Sequence, residues 1–262
     1  MKPVAKAIMR SSPYRIASSV VVPPEQVVAN LVGFPPMVRD WLSYNRGDVP
    51  DGMHATLGGA YPMPADRLSS AGAARGHYFH QDLWFARRIR DANPAEHWDV
   101  GSRVDGFIAH LLVFRSVHVV DVRARDSHVE GLSFHRGDIT SLPFPDQSLE
   151  SLSSLHVVEH VGLGRYGDKV DPRGHLVALS ELARVVAPGG TLYLGFPVGR
   201  QRVEFNAHRV LDPVDVLQPL APLTLERFAA VNDAGDLVDP ARPEDFRDAN
   251  YACGLYVLRR QS

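Results

Sequence analysis

A short apolar run that ends in an acid and a glycine decides the fold of this chain. Its sequence is His97-Trp98-Asp99-Val100-Gly101-Ser102-Arg103-Val104-Asp105-Gly106. We expect residues 97–101 to form a brief strand, because apolar side chains precede a turn that contains glycine. A helical pattern over residues 106–114 follows, so strand, turn and helix succeed one another as they do in an open parallel sheet.

Short apolar runs and longer helical patterns alternate on both sides of this stretch. Apolar residues recur at helical spacing over residues 77–92 and 176–187, and Pro188-Gly189-Gly190 is expected to stop the second of these helices. The alternation predicts an α/β fold with a doubly wound, mostly parallel, seven-stranded sheet and helices on both faces. The predicted strands cover residues 97–101, 117–122, 132–135, 149–158, 191–197, 225–232 and 253–259.

The first part of the chain has a different character. Residues 1–75 are rich in turn formers such as Pro23-Pro24 and Pro50-Asp51-Gly52, and they contain only short periodic pieces. We therefore predict an irregular N-terminal lobe or cap over residues 1–75 and a Rossmann-like domain over residues 76–262.

Composition limits the class of protein and its partners. The 262 residues are 45% hydrophobic and 22% charged, which is typical of a soluble globular protein. The net charge of -2 offers no basic excess for nucleic acid. The single cysteine, Cys253, excludes an intrachain disulfide and a cysteine-clustered metal site. No stretch has the length of a membrane span, and residues 1–22 lack a secretory apolar region, so we expect a cytoplasmic protein.

Three acids follow three successive predicted strands. Asp99 and Asp121 are about 20 residues apart, the spacing between a glycine-containing first turn and the acid that takes ribose hydroxyls in nucleotide-binding sheets. Asp138 follows the third strand, where its carboxylate could accept from an adenine amino group while the N–H of Ile139 meets a ring nitrogen. The series predicts an adenosyl ligand.

These residues resemble those of the class I S-adenosylmethionine-dependent methyltransferases over roughly residues 96–199. The resemblance implies that Gly101 lets the backbone approach the methionine part of the cofactor, and Ser102 beside it is also expected to bind the cofactor. Arg103 departs from the family pattern, but its guanidinium could pair with the methionine carboxylate. It also implies that Asp99 belongs to the cofactor site, that Asp121 holds the ribose, and that Asp138 and Ile139 hold the adenine. The matching segments are Asp99 with Gly101, Asp121, Gly137-Asp138-Ile139, Leu142-Pro143-Phe144-Pro145-Asp146, residues 154–160 and residues 181–190.

A narrower resemblance extends from about His77 to the C-terminus. The segments Gly101-Ser102-Arg103, residues 160–168 and Phe205-Asn206-Ala207-His208-Arg209 look like an uncharacterised methyltransferase-like family, some of whose bacterial members lie among surface-polysaccharide genes. This resemblance implies that the polar loops after the fourth and fifth strands present the acceptor. The expected reaction is methyl transfer to a small polar acceptor such as a sugar or glycan hydroxyl.

The candidate base is a histidine that follows the fourth strand. We expect His160 or His156 to take the proton of the acceptor hydroxyl, with Glu159 orienting the ring. Each residue also has a structural interpretation: His156 as a core histidine, Glu159 as a helix cap, and Arg165 with Asp168 as an ion pair. The residues expected to bind a hydroxyl-rich acceptor are Arg165, Tyr166, Asp168, Asn206 and His208.

Two rival functions remain open from the sequence. The first turn has Arg103 and Asp105 where these methyltransferases usually have glycines, which would suit a non-catalytic binding module on a degenerate methyltransferase fold. Residues His156-Val157-Val158-Glu159-His160 also spell the H-x-x-E-H pattern of inverted zinc peptidases. That pattern requires one helix across all five residues, whereas the sequence predicts a strand running into them. We therefore predict no metal ligand set.

Overall fold

The computed structural model describes residues 24–69, 72–123 and 127–262. Contacts divide the chain into two units, Met1–Ala73 and Ala74–Ser262. The first unit contains helix α1 (Pro24–Arg46) and a 3-10 turn (Pro64–Leu68). The prediction of only short periodic pieces is wrong for residues 24–46, because the helix continues through Pro35 and Pro36.

The second unit contains an eight-stranded sheet. Its strands are β1 (His97–Val100), β2 (Val117–Asp121), β3 (Leu132–Arg136), β4 (Leu149–Leu155), β5 (Val186–Val198), β8 (Thr224–Val231), β9 (Leu237–Val238) and β10 (Ala252–Arg259). A separate hairpin pairs β6 (Arg202–Glu204) with β7 (His208–Val210).

The strand order in the large sheet is β3-β2-β1-β4-β5-β10-β8-β9. The first five strands in this order, from β3 through β2, β1 and β4 to β5, are parallel to one another. The pairings of β5 with β10, of β10 with β8 and of β8 with β9 are antiparallel. The predicted α/β, doubly wound and mostly parallel sheet is confirmed. It has eight strands rather than seven because β9 has two residues, too few for an alternating pattern.

Helices cover both faces of this sheet. Val119 and Val120, neighbours in β2, belong to different hydrophobic clusters, as expected for side chains that alternate between faces. Helix α2 (His77–Ala92) contributes Phe85 and Ile89 to one cluster, and helix α4 (Gly174–Val185) contributes Leu182 to the other. The predicted bounds of α2 are confirmed, and the helix stops where Asn93 adopts φ 45°.

Three element ends differ from the prediction. Strand β4 stops at Leu155, not residue 158, because His156 takes a left-handed backbone with φ 55°. The helix expected over residues 106–114 begins as a π-helical turn (Val104–Ile108) that leads into the short α3 (Ala109–Leu112). Helix α4 ends at Val185, so the Pro-Gly-Gly segment lies in β5 rather than directly after the helix.

The strand order indicates which edge of the sheet can bind a ligand. Strand β1 lies between β2 and β4. The chain adds β2 and β3 on one side of β1 and then crosses over to add β4 and β5 on the other side. A crevice forms at such a switch point, beyond the carboxyl ends of the strands. Across the described residues, no helix is long and apolar enough to cross a membrane.

Candidate active site

A cavity of about 780 Å³ lies at the carboxyl ends of β1, β2, β3 and β4. That volume is within the range of small-molecule and cofactor pockets. The cavity brings together most of the predicted site residues, and it excludes Asp99 and Asn206. The predicted residues that line it are Gly101, Ser102, Arg103, Asp121, Asp138, Ile139, His156, Glu159, His160, Arg165, Tyr166, Asp168 and His208.

Gly101 forms the close turn at the end of β1. Its φ of 73° is in the left-handed region, which glycine adopts without strain. A Cβ atom at this position would lie 3.0 Å from Cγ1 of Val157. The Gly101 N–H donates to the carbonyl of Val120 over 2.9 Å, which fixes the turn to β2. Glycine is therefore required here by both conformation and space.

Asp99 lies beneath this turn and is fully buried. Its Oδ1 accepts from the Ser102 N–H (2.9 Å), and its Oδ2 accepts from the hydroxyls of Ser102 (2.6 Å) and Ser153 (2.5 Å). Burial raises the pKa of Asp99 to about 6, although the hydrogen bonds from Ser102 and Ser153 favour the ionised carboxylate and lower the pKa. The expected direct contact of Asp99 with a cofactor does not match this placement, because the carboxylate is used to hold the turn.

The first turn carries an ion pair where glycines were expected. Nε of Arg103 is 3.0 Å from Oδ1 of Asp105, and Nη2 is 2.7 Å from Oδ2. Both side chains are largely exposed, and neither residue has a positive φ. The Arg103 guanidinium carbon lies 5.2 Å from the centre of the Tyr78 ring. Arg103 thus lines the cavity, and its guanidinium pairs with Asp105 there.

Asp121 and Asp138 enter the cavity from the ends of β2 and β3. Oδ1 of Asp121 accepts from the Arg123 N–H (2.6 Å), and its Oδ2 lies 3.2 Å from Nη2 of Arg123. Oδ1 of Asp138 accepts from the N–H (2.8 Å) and hydroxyl (2.7 Å) of Thr140. Among the described residues, Oδ2 of Asp138 and the Ile139 N–H make no hydrogen bond, so both remain available to a ligand in the cavity.

His156 and Glu159 form a buried pair in the turn after β4. Nδ1 of His156 lies 2.7 Å from Oε1 of Glu159. Burial opposes both charges, but Cys253 and Glu159 favour a protonated His156, so the pKa of His156 is raised, and His156 in turn lowers the pKa of Glu159. Oε2 of Glu159 is buried and has no hydrogen-bond partner in the described chain.

His160 has the geometry of a general base. Its Nδ1–H donates to the carbonyl of Ala207 over 2.7 Å, so the lone pair is on Nε2. Burial lowers the pKa of His160, which keeps the ring neutral near pH 7. Nε2 lies 3.7 Å from Oε1 of Glu159, close enough for the carboxylate to stabilise an imidazolium after proton transfer. The carbonyl of Ala207 therefore orients His160, whereas Glu159 orients His156.

The residues predicted to bind the acceptor substrate lie in different environments. Arg165 donates to the carbonyl of Ala207 over 2.7 Å, and Asp168 accepts the N–H groups of Gly162 (2.8 Å) and Tyr166 (3.2 Å). The possible Arg165–Asp168 ion pair is therefore wrong, because each group binds backbone. Nε2 of His208 lines the cavity without a hydrogen-bond partner in the described chain. Asn206 is exposed and lies outside the cavity.

Several cavity residues escaped the sequence analysis. Tyr251 lies in the segment before β10, and its ring stacks on His77 with centroids 4.9 Å apart. Arg123 binds Asp121 and places its guanidinium carbon 4.5 Å from the centre of the Tyr166 ring. Of these two residues, only Arg123 could have been found from the sequence, because it lies two residues after Asp121, which was expected to bind the ligand.

The zinc peptidase interpretation is wrong for this geometry. The five residues of the H-x-x-E-H segment do not form one helix, since His156 has φ 55° and only Val158–His160 forms a 3-10 turn. Nδ1 of His156 faces Glu159 and Nδ1 of His160 faces Ala207, so the pair does not present a common helical face.

Sequence comparison finds similarity in part of the second unit. Residues 144–221 match a family described as a Caenorhabditis protein of unknown function, DUF268. This match spans β4, α4, β5 and the β6–β7 hairpin, and the loop after β4 and the hairpin within it supply lining residues of the cavity. No curated protein matches the chain.

Structural comparison identifies the fold. The N-methyltransferase NodS from Bradyrhizobium japonicum WM9, solved with S-adenosyl-L-homocysteine, is similar with a TM-score of 0.50 and 15% identity, over 86% of this chain and 98% of that chain. The 1,6-didemethyltoxoflavin-N1-methyltransferase from Burkholderia thailandensis has a TM-score of 0.48 and 15% identity, over 69% and 79% of the two chains. The [4+2]-cyclase SpnF has a TM-score of 0.47 and 14% identity, over 89% and 97%. This chain has the Rossmann-like fold of the class I methyltransferases.

Proposed function

We propose that the protein is an S-adenosylmethionine-dependent methyltransferase that methylates a hydroxyl of a small polar acceptor, a sugar or glycan. The observation that carries the proposal is that one cavity contains the ends of three adjacent strands, with Gly101, Asp121 and Asp138, and the free Nε2 of His160. The first three residues suit an adenosyl ligand and the fourth suits proton abstraction, so cofactor and acceptor would meet in one space.

The residues at the cofactor end fit an adenosyl group. Oδ2 of Asp138 and the Ile139 N–H have no hydrogen bond in the described chain, and they can pair with the amino group and a ring nitrogen of an adenine. Asp121 stands at the end of the neighbouring strand, where its carboxylate would accept ribose hydroxyls. The left-handed turn at Gly101 leaves backbone beside the cavity without a side chain. When bound, the cofactor supplies an activated methyl group.

The acceptor end presents two hydrogen-bond acceptors beside the donors of Arg165 and Tyr166. Oε2 of Glu159 is buried without a partner among the described residues, and Nε2 of His160 carries a lone pair. Nε2 of His208 lies 3.6 Å from Oε2 of Glu204. Burial lowers the pKa of His208, so its ring is neutral near pH 7. A ligand with several O–H donors would satisfy these atoms, and an unmade hydrogen bond costs about 1–3 kcal/mol per buried group. This preference supports a hydroxyl-rich acceptor.

His160 would remove the proton of the acceptor hydroxyl as its oxygen becomes nucleophilic. The Ala207 carbonyl holds the ring through Nδ1, which leaves Nε2 to take the proton, and Glu159 would stabilise the imidazolium that results. Asp168 organises the adjoining loop through three backbone N–H groups, which keeps Arg165 and Tyr166 at the cavity. General-base assistance of this kind contributes about 10²–10⁴-fold in rate.

Calorimetry with S-adenosylmethionine and S-adenosylhomocysteine tests the cofactor half of the proposal. We expect binding that weakens at least about tenfold in Asp121→Asn and Asp138→Asn, since each loses hydrogen bonds to a charged group worth about 1.5–3 kcal/mol. Asp146→Asn, which changes an exposed carboxylate outside the cavity, is the matched control and should bind like the wild type.

Product formation tests the acceptor half. Sugars and glycans should release S-adenosylhomocysteine in the wild type, and His160→Gln should abolish this while retaining cofactor affinity. Binding of a glycan with no affinity for either cofactor would instead assign a binding module on this fold. Methylation of amines in preference to hydroxyls would overturn the acceptor class and leave the cofactor assignment intact.

A further inference from the structure

We propose that His77, His156 and Cys253 form a binding site for one divalent transition-metal ion of zinc type. One ring nitrogen of each histidine and the sulfur of Cys253 lie within 4.8 Å of one another. These residues come from the start of α2, the turn after β4 and the beginning of β10. Three elements that are distant in sequence thus bring a thiol and two imidazoles to one point, a donor set that suits zinc.

The contact between His156 and Cys253 has nearly the spacing of two ligands on one ion. Nε2 of His156 is 3.7 Å from Sγ of Cys253. With a Zn–N bond of about 2.0–2.1 Å and a Zn–S bond of about 2.3 Å, two ligands at a tetrahedral angle lie about 3.5 Å apart. The two donor atoms therefore need to move only a few tenths of an ångström to share a metal ion.

The surroundings of the two histidines match those of metal ligands. Nδ1 of His156 is held by Oε1 of Glu159 at 2.7 Å, which leaves Nε2 directed toward the sulfur. A metal-bound histidine commonly gives its other ring N–H to a carboxylate or a backbone carbonyl in this manner. The ring of His77 is likewise fixed, with Nε2 3.2 Å from the carbonyl of Tyr251. The rings of His77 and His156 are stacked, with centroids 5.6 Å apart and planes at 14°, so His77 has to rotate to direct a ring nitrogen at a shared ion.

The site adjoins the active-site cavity through His156. His156 lines that cavity, whereas Cys253 is fully buried behind it. Within the described residues, no fourth histidine, cysteine or carboxylate joins the group, so one tetrahedral position is left for water or another oxygen ligand. On binding, Cys253 and the ring nitrogens give up any protons they carry to solvent, and the ion takes their place.

This site differs from the zinc peptidase arrangement, because it excludes His160 and includes a thiolate. It is also independent of the proposed methyl transfer, since neither cofactor affinity nor the base His160 enters the argument. The alternative for the same atoms is an internal hydrogen-bond chain from Cys253 through His156 to Glu159, with no ion. The two interpretations predict different metal contents.

Metal analysis of the purified full-length chain decides between them. We expect about one equivalent of zinc per chain after zinc loading and removal of free metal. We also expect loading with Co²⁺ to give a thiolate-to-cobalt charge-transfer band. Cys253→Ser and His77→Gln should each lower the bound metal at least about tenfold, and Cys253→Ser should remove the band. His80→Gln, one turn further along α2 and outside the cluster, is the control and should retain the metal.

The wild-type protein alone can overturn the proposal, whether or not the variants fold. Substoichiometric zinc in the loaded wild type, together with no cobalt–thiolate band, would establish the hydrogen-bond chain instead. Metal that persists undiminished in both folded variants, checked by circular dichroism, would place the ion elsewhere. Loss of metal in the variants with unchanged S-adenosylhomocysteine affinity would support this site independently of the methyltransferase proposal.

Discussion

Replacing Asp99 with asparagine tests whether a buried carboxylate holds the first turn from outside the cavity. Asp99 is fully buried, and burial raises its pKa to about 6 from an ordinary 3.8. Asparagine has nearly the same shape but cannot ionise. Its amide group replaces the oxygen that accepts from the Ser102 and Ser153 hydroxyls, and this constant loss cancels when the pH dependence of the two proteins is compared.

Whether the free energy of unfolding rises or falls with pH depends on whether the folded or the unfolded chain binds the Asp99 proton more tightly. The unfolded chain loses the Asp99 proton near pH 3.8 and the folded chain near pH 6, so the folded state binds more protons between these values. The stability that the protonated carboxyl contributes is complete below pH 3.8 and is lost as the pH rises through about 6. A shift of about two pKa units corresponds to about 3 kcal/mol. About 2 kcal/mol of this is lost between about pH 4.5 and about pH 8.

Urea denaturation of wild type and Asp99→Asn at these two pH values measures the effect. The difference in free energy of unfolding between the proteins should change by about 2 kcal/mol in favour of the variant as the pH rises. Other titrating groups are common to both proteins and cancel. Asp91→Asn, which removes an exposed carboxylate at the end of α2, should change with pH as the wild type does.

Equal pH dependence in wild type and Asp99→Asn would refute this argument. It would mean that the folded environment does not favour the protonated carboxyl. If the same variant also lost its affinity for S-adenosylhomocysteine while Gly101 and Ser102 kept their structure, Asp99 would instead be a cofactor contact, as the sequence resemblance implied.

Three further substitutions probe the turn, the base and the buried pair. Gly101→Ala should lower the free energy of unfolding by about 1–2 kcal/mol, measured by urea denaturation, because alanine is strained at φ 73° and its Cβ would crowd Val157; an unchanged midpoint would contradict the turn geometry. His160→Gln should lower kcat about 10²–10⁴-fold with cofactor affinity unchanged, and a loss of affinity alone would contradict its role as base. Glu159→Gln should destabilise the protein by about 3–5 kcal/mol, since His156 would be left charged and buried; a double-mutant cycle with His156→Gln should recover part of this, and strict additivity would contradict the pairing.

The sequence predicted the parts of the fold that depend on local periodicity. The bounds of α2 followed from the apolar spacing over residues 77–92, and the strands followed from apolar runs beside turn residues. The end of β4 was misplaced because histidine seldom adopts the left-handed backbone that His156 takes here. Nothing in the adjacent sequence indicates that conformation.

The sequence could predict which residues meet at the candidate site only where it also indicated which strands are neighbours. Asp121 and Asp138 follow parallel neighbouring strands, so their common edge could be expected from the alternation of elements. Tyr251 reaches the cavity, and Cys253 reaches His156, because β10 runs antiparallel beside β5, a pairing between distant segments that a single sequence does not specify. Asp99 was assigned to the ligand because a polar residue after a strand resembles a site residue. Of its partners, Ser102 lies three residues further along the chain, whereas Ser153 depends on how β1 and β4 pair.

The first turn explains how a chain without the usual glycines can retain the cavity. Close approach of backbone depends on the left-handed conformation, and that conformation is located at Gly101, not at Arg103 or Asp105. The two substituted side chains pair with each other and remain largely exposed, so they add no unpaired charge to the interior. The Arg103 guanidinium contacts Tyr78, whose ring lies 4.7 Å from that of His156. The substitutions therefore change the rim of the cavity, and the floor that an adenosyl group would meet keeps its glycine.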